Sequence, residues 1–254
     1  VNCRERLTAA SRGGATDRAP WFAWFPQATY IELLDFAREY KPDALITPSN
    51  DDATSLIDEL GSDGPAVLFE TMNPYGLALI DDIDLNAVIQ VDPSEGDVLQ
   101  TKYMKQISDT LEWAIDAGCD GAFYRLIGAA PKWSTPMQYG GNHLERDREL
   151  LESVSEARFN VVYVEGGDGV YLDFVSDLPA SAFAWNERES GIPPSEVRNL
   201  RMGTLACGLH GDRSALWEEF NGMGIVFFAE SQLNDDFESI ANECNRLRST
   251  APHE

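Results

Sequence analysis

Short apolar runs alternate along this chain with longer stretches whose apolar residues recur at helical spacing. The runs are Trp21–Phe25, Ala44–Thr47, Ala66–Phe69, Ala87–Val91, Gly121–Tyr124, Asn160–Val164, Ala182–Trp185, Met202–Ala206 and Gly224–Ala229. Each is bounded by polar, Gly or Pro residues, as expected for strands covered on both faces in a parallel sheet. Between them, Tyr30–Arg38 sets Ile31, Leu33, Leu34 and Phe36 against Glu32, Asp35 and Arg38. Tyr103–Ala117 gathers Met104, Ile107, Leu111, Ala114 and Ile115 near one stripe. Gly118 can supply the left-handed cap that ends this helix. Ser153–Phe159 and Gly222-Met223-Gly224 mark two further passages into strands.

Nine runs for about eight strands leave one to be something else. Ala87–Val91, hemmed by Asp82, Asp84 and Asp92 and preceded by Asn86, is the one set aside. The pattern predicts an α/β chain forming one (β/α)8 TIM barrel over residues 1–254, a usual length for that fold. Pro131–Gly141 is the longest stretch without a clear pattern and is expected to form a loop over the barrel mouth.

No apolar run approaches the ~20 residues that span a bilayer. Val1–Arg18 lacks the apolar centre of a signal peptide. Cys3, Cys119, Cys207 and Cys244 are scattered, with no CxxC pair, so the expected compartment is a reducing cytoplasm. Charge changes the picture more. The chain carries 43 acidic against 19 basic residues, net −24, and its only lysines are Lys41, Lys102, Lys105 and Lys132. Such a surface disfavours nucleic acid and anionic membranes. It serves either as a solubilising coat or as a field that draws a cationic ligand or basic partner; composition does not separate the two.

Catalytic groups of such barrels stand at the C-terminal ends of the strands. Those ends read Asn50-Asp51-Asp52, Glu70 with Asn73, Arg125, Glu165, Asn186 with Glu187, Cys207 with His210, and Glu230. The expected mouth is lined with carboxylates. Glu165 and Glu230 are candidate catalytic acids, each carried to the mouth by an apolar strand. Facing one cavity, their repulsion would raise one pKa and make a general acid; facing solvent, neither would serve. Tyr163, two residues before Glu165, points to the same side, either to donate a proton or to fill the core. Asp52 is a catalytic candidate or the N-cap of a helix over Ala53–Leu60, with Asp51 as the alternative cap.

Candidates for holding substrate are Arg125, Asn186, Glu70, Asn73, His210 and Trp24. Arg125 could pair with a substrate carboxylate or with a glutamate of the mouth. Cys207 and His210 have the spacing of a metal pair but equally that of two loop residues. His143 could ride on a lid or simply be packed. Trp21, Trp24, Tyr30, Trp133 and Trp185 could cage a quaternary ammonium or sulfonium group, or pack the barrel. Gly166-Gly167-Asp168-Gly169 lacks the spacing of a nucleotide loop.

The opening Glu5-Arg6-Leu7, Ala9-Ala10-Ser11-Arg12-Gly13 and Asp17-Arg18-Ala19-Pro20 resembles the uroporphyrinogen decarboxylase superfamily. Pro42-Asp43-Ala44, Asn50-Asp51-Asp52 with Glu59-Leu60-Gly61, and Ala117-Gly118-Cys119-Asp120-Gly121 extend the likeness. The resemblance implies a TIM barrel, a possible homodimer, and one of two chemistries: decarboxylation, or methyl transfer involving a corrinoid protein. It also places Asp52, nine residues before Gly61, at the family's essential aspartate. Members are longer, and the difference falls between Asp92 and Tyr103, where one βα unit would be reduced or missing.

Two departures narrow the expectation. Where the decarboxylases carry substrate-holding arginines, this chain reads Phe25-Pro26-Gln27-Ala28-Thr29-Tyr30, which argues against uroporphyrinogen. Where the methyltransferases place zinc ligands, it has Tyr163, Glu165 and Glu230, so zinc would lack its usual soft ligands. The sequence therefore points first to one-carbon (methyl) transfer on a small substrate by mouth carboxylates. A decarboxylase or lyase of a small carboxylated compound comes second, and a non-catalytic binding protein third.

Overall fold

Eight short parallel strands close on themselves: β1 Trp21–Trp24, β2 Ala44–Thr47, β3 Ala66–Met72, β4 Gly121–Leu126, β5 Val161–Val164, β6 Ala182–Trp185, β7 Thr204–Gly208 and β8 Ile225–Glu230. Each pairs with the next, and β8 returns to β1 through Trp21↔Phe227 to Trp24↔Glu230. The structure, a computed structural model, describes residues 1–209 and 213–230, with 238, 241, 242 and 246 beyond them. The eight strands form the closed parallel barrel of a (β/α)8 TIM fold.

No strand is lost between Asp92 and Tyr103. Those residues open a long helix, Pro93–Asp116, which begins nearly three turns before the Tyr103 that its apolar stripe suggests. Asp92 caps it, accepting from the Ser94 and Glu95 backbone N–H groups, and Pro93 fits the first helical position. The run Ala87–Val91 is helical too, within Leu85–Val91, because Asp84 caps its start through the N–H groups of Asn86 and Ala87. These helices, with Pro74–Ile80 before them, form an excursion between β3 and β4 around Tyr75, Ala78, Leu85, Tyr103 and Ile127.

Alternation along the strands sorts side chains into two layers. Trp21, Leu45, Val67, Phe69, Tyr124, Val162, Trp185, Leu205 and Phe227 face the surrounding helices. Phe22, Trp24, Ile46, Leu68, Phe123, Val161, Tyr163, Val226 and Phe228 fill the barrel, with Ala44, Ala66, Ala182, Ala184 and Ala206 giving the large rings room. The rings interlock: Phe22 lies 5.0 Å from Phe228, Trp24 5.1 Å from Phe123, and Phe123 stacks on Tyr163 at 5.7 Å. Each such ring taken out of water contributes roughly 1.5–3 kcal/mol.

The opening motif closes the opposite end. The first helix, Cys3–Ser11, lays Leu7 and Ala10 against the barrel floor. Arg6 bonds Asp43 at 2.5 Å and Asp17 at 2.7 Å, and Arg18 bonds Asp43 at 2.7 Å. Arg4 bonds Asp120 at 2.9 Å and the carbonyls of Gly61, Ser62 and Gly64. Asp43 is fully buried, and its Oδ2 also accepts the Trp21 N–H. The residues that carry the family likeness most clearly thus hold the floor together, at the end where barrels place stability rather than chemistry.

Candidate functional site

At the other end, the alternation that packs the barrel delivers charge to its mouth. Glu70 continues the inward series Ala66, Leu68 on β3; Arg125 follows Phe123 on β4; Glu165 follows Val161 and Tyr163 beyond β5. The three side chains meet. Arg125 Nη1 donates to Glu70 Oε1 at 2.9 Å and its Nε donates to Glu165 Oε1 at 2.5 Å. Glu70 Oε2 accepts the indole N–H of Trp24 at 2.7 Å. The Trp24 ring lies beneath the guanidinium, 5.0 Å from its central carbon, and meets Tyr163 edge-on at 5.4 Å.

The site is therefore a carboxylate–guanidinium–carboxylate array on an aromatic floor. Glu70 is buried, while Arg125 and Glu165 keep part of their surface in solvent. Burial works against the guanidinium's charge, but hydrogen bonding and the field of Glu165, with Glu70 behind it, outweigh that and raise its pKa. Among the described residues, Arg125 Nη2 and Glu165 Oε2 make no hydrogen bond, so a donor group and an acceptor oxygen remain for a ligand. Gly166, directly after Glu165, has no room for a side chain. Its φ is +153°, and a Cβ there would stand 2.8 Å from Val170 Cγ2 and 3.0 Å from Ala130 Cβ.

The other candidates fall elsewhere. Asp52 is not a cap: Ser49 caps a helix that begins at Asn50, and its hydroxyl accepts the Asp52 N–H at 3.2 Å. No described hydrogen bond or ion pair joins the Asp52 carboxylate to the array. Asn73 is no ligand group, since both ends of its amide are spent. Its Oδ1 accepts from Gly76 and Ile127, and its Nδ2 donates to Ile127 O and Asp147. Asn186 caps the turn Glu187–Ser190 through the Glu189 N–H at 3.1 Å. Glu230 ends β8 opposite Trp24, but its side chain lies outside the described residues, as does His210. The Cys207 thiol sits in the helix-facing layer, away from the mouth, and burial pushes its pKa up.

The aromatic cage does not assemble. Trp21 and Trp185 belong to the outer layer, Lys132 covers Trp133 at 3.9 Å, and Arg125 itself lies over Trp24. Nor is Pro131–Gly141 without structure. Its second half enters the helix Pro136–Asn142, and the Tyr75 and Tyr171 hydroxyls donate to the Trp133 and Ser134 carbonyls. His143 is buried beneath it. Its Nδ1 accepts from Gln100 at 2.9 Å and its Nε2–H donates to Asn86 Oδ1 at 3.0 Å, which fixes a neutral tautomer. Burial, with Arg146 adding to it, pushes His143 down to about 4.

One group that sequence reading passed over is Asp147. It is fully buried and accepts from Tyr124 Oη at 2.7 Å, Tyr139 Oη at 2.6 Å and Asn73 Nδ2 at 3.2 Å. Its place in the charged segment Leu144–Ser153 gave no sign of burial, although Leu150 and Leu151 mark the same helix face.

The resemblance implies zinc at Tyr163, Glu165 and Glu230. The donors do not fit it. Among the described residues, no three His, Cys, Asp or Glu side chains converge to hold a metal ion. Glu165 is already bound to a cation of the chain's own. No helix among the described residues is long and apolar enough to cross a membrane.

No protein-family model matches the chain, and no curated protein matches it. Solved structures do. A methyltransferase from Methanosarcina mazei is 12% identical and superposes with a TM-score of 0.75, covering 94% of this chain and 96% of its own. A 2,3-dimethylmalate lyase of the PEP mutase/isocitrate lyase superfamily is 12% identical, with a TM-score of 0.53 over 90% and 80% of the two chains. Tryptophan synthase from M. tuberculosis is 10% identical, with a TM-score of 0.51 over 97% and 96%. This chain shares with these enzymes the TIM-barrel fold.

Proposed function

We propose that this chain is an enzyme of the uroporphyrinogen decarboxylase superfamily that moves a one-carbon (methyl) group to or from a small substrate at the barrel mouth. The observation that carries the proposal is the Glu70–Arg125–Glu165 array, charge fixed by mutual hydrogen bonds on a preorganised aromatic floor. In this reading Glu165, with one oxygen open, takes the proton of an O–H or N–H acceptor as that atom bonds the methyl carbon, while the donor–methyl bond breaks and its electron pair stays on the departing donor. Arg125 steadies the negative charge that builds on the acceptor as its proton leaves, and Glu70 with Trp24 fixes Arg125. The opening motif and the full-length superposition on a methyltransferase support the family side of the proposal. The methyl donor is a small methylated compound or a corrinoid protein.

The test is a panel of sulfonium, quaternary ammonium, methyl ether and methylcobalamin donors with hydroxyl, amine and thiol acceptors, read by mass spectrometry of the methylated product. Turnover that falls at least about 10²-fold in Glu165→Gln is expected for loss of a proton acceptor. An unchanged rate in that variant removes Glu165 from the mechanism. A second reading has its own observation: the open Nη2 of Arg125 suits a substrate carboxylate, as a decarboxylase or lyase needs. Release of carbon dioxide from small carboxylated compounds, lost in Arg125→Ala, would favour it.

A further inference from the structure

We infer that Arg125 is the resident cation of this mouth, a guanidinium standing in the place where the resemblance puts zinc, so that the site works without a metal. The inference rests on the mouth being the active site, as proposed above.

Three observations converge on it. The first is position. Tyr163 and Glu165 occupy the two places of the expected ligand pair, and Arg125 is the register partner of Tyr163 on the neighbouring strand. The second is coordination. Carboxylates from the strands on both sides of β4 close on one centre, Glu70 at 2.9 Å and Glu165 at 2.5 Å, and that centre is a guanidinium. A divalent ion would compete for the same oxygens while meeting a fixed positive charge beside them. The third is permanence. A guanidinium does not lose its proton in any working range, and both glutamates strengthen its hold. Trp24 anchors the assembly twice, by its N–H to Glu70 and by its ring beneath Arg125.

What such a centre offers is a planar, hard hydrogen-bond donor rather than a soft Lewis acid. Arg125 Nη2 can steady negative charge on a substrate oxygen, while a thiol gains nothing from it of what a thiolate gains on zinc. The site thereby departs from its resemblance in mechanism, even where the fold agrees.

The experiment titrates the untagged full chain, in chelator-treated buffer, with Zn²⁺ and with Mn²⁺ by isothermal calorimetry. Wild type and Arg125→Lys, which keep a cation between the glutamates, are expected to take up no ion that depends on Glu165. Arg125→Met leaves the two carboxylates facing an empty centre and is expected to gain one ion per chain, lost again when Glu165→Gln is added. One tightly held zinc in wild type that disappears in Glu165→Gln overturns the inference. So does Arg125→Met that keeps the wild-type circular dichroism spectrum and gains no ion. Should Arg125→Met fail to fold, the wild-type and Arg125→Lys titrations decide by the same criterion. A Glu165-dependent zinc site would leave the methyl-transfer proposal standing, whereas a barren substrate panel would leave the cation assignment standing, so the two fail separately.

Discussion

Asp147→Asn should make this protein more stable at neutral pH and slightly less stable in acid. The wild-type carboxyl is wholly buried, with two tyrosine hydroxyls and one amide as donors and no cation among its described hydrogen bonds. Burial pushes its pKa from 3.8 to about 6, against the pull of the Tyr139, Tyr124 and Asn73 hydrogen bonds. That is about two pH units, and at ~1.4 kcal/mol per unit the charge costs the fold roughly 3 kcal/mol at pH 7. The sign follows from linkage. The folded state holds this proton more tightly than the unfolded chain does, so the stability it gives is complete below about pH 4 and is lost as pH rises through about 6. Asparagine keeps the volume and removes the charge, but one hydroxyl hydrogen loses its acceptor, at a cost of about 1 kcal/mol.

The variant should therefore gain about 2 kcal/mol at pH 7 and lose about 1 kcal/mol at pH 4. For a chain of this length, that is a melting temperature roughly 4–8 °C higher and 2–4 °C lower, respectively. His143 works in the opposite sense: pushed down from 6.5 to about 4, it loses stability as pH falls below 6.5, because the unfolded chain takes up the proton first. The two groups offset each other in wild type between about pH 4 and 6, and Asp147→Asn exposes the histidine's slope alone. Thermal melts of both proteins at pH 4, 5, 6 and 7 measure the difference, in which the general effect of the acidic surface cancels. A difference that does not change with pH would refute the reasoning.

Gly166→Ala should destabilise the fold by about 1–3 kcal/mol, since its Cβ would press on Val170 and Ala130 from a left-handed φ, and should displace Glu165. Urea denaturation measures the first effect, and the second appears as lower activity in the residual folded protein. Asp43→Asn takes the buried charge partner from part-buried Arg18 and one of two carboxylates from buried Arg6, which keeps Asp17, and a loss of about 3 kcal/mol is expected in the same assay. An effect below 1 kcal/mol would show that the floor cluster does not hold the barrel closed.

How much of this was legible beforehand differs between fold and site. The strands were, because a parallel strand covered on both faces has to be continuously apolar, and eight such runs stand in the chain. The ninth, Ala87–Val91, has strand composition yet is helical, and the aspartates around it, two of them capping residues, are the local signal that decides it. Alternation likewise put Tyr163 and Glu165 on one side of their strand, whereas the inner face shared by Trp24, Glu70, Arg125 and Tyr163 appears only in the closed barrel.

What no local pattern could decide is which of these groups touch. Glu70 and Arg125 are 55 residues apart and Arg125 and Glu165 are 40. Their meeting depends on β3, β4 and β5 lying side by side, in a register that sets Met72 opposite Arg125 and Arg125 opposite Tyr163. Asn73 and Asp52 show the converse, being equally near strand ends in sequence but absorbed by a helix cap and a first helical turn. The opening motif was readable as a family likeness, but only its contacts with Asp43 and Asp120 reveal that it closes the floor. Neighbours along the chain were enough to mark the strands and most helices, because caps and apolar periodicity bias the backbone locally. Tertiary structure decided the chemistry of the mouth, because charge acts through space and the strands that carry it are joined only when the barrel closes.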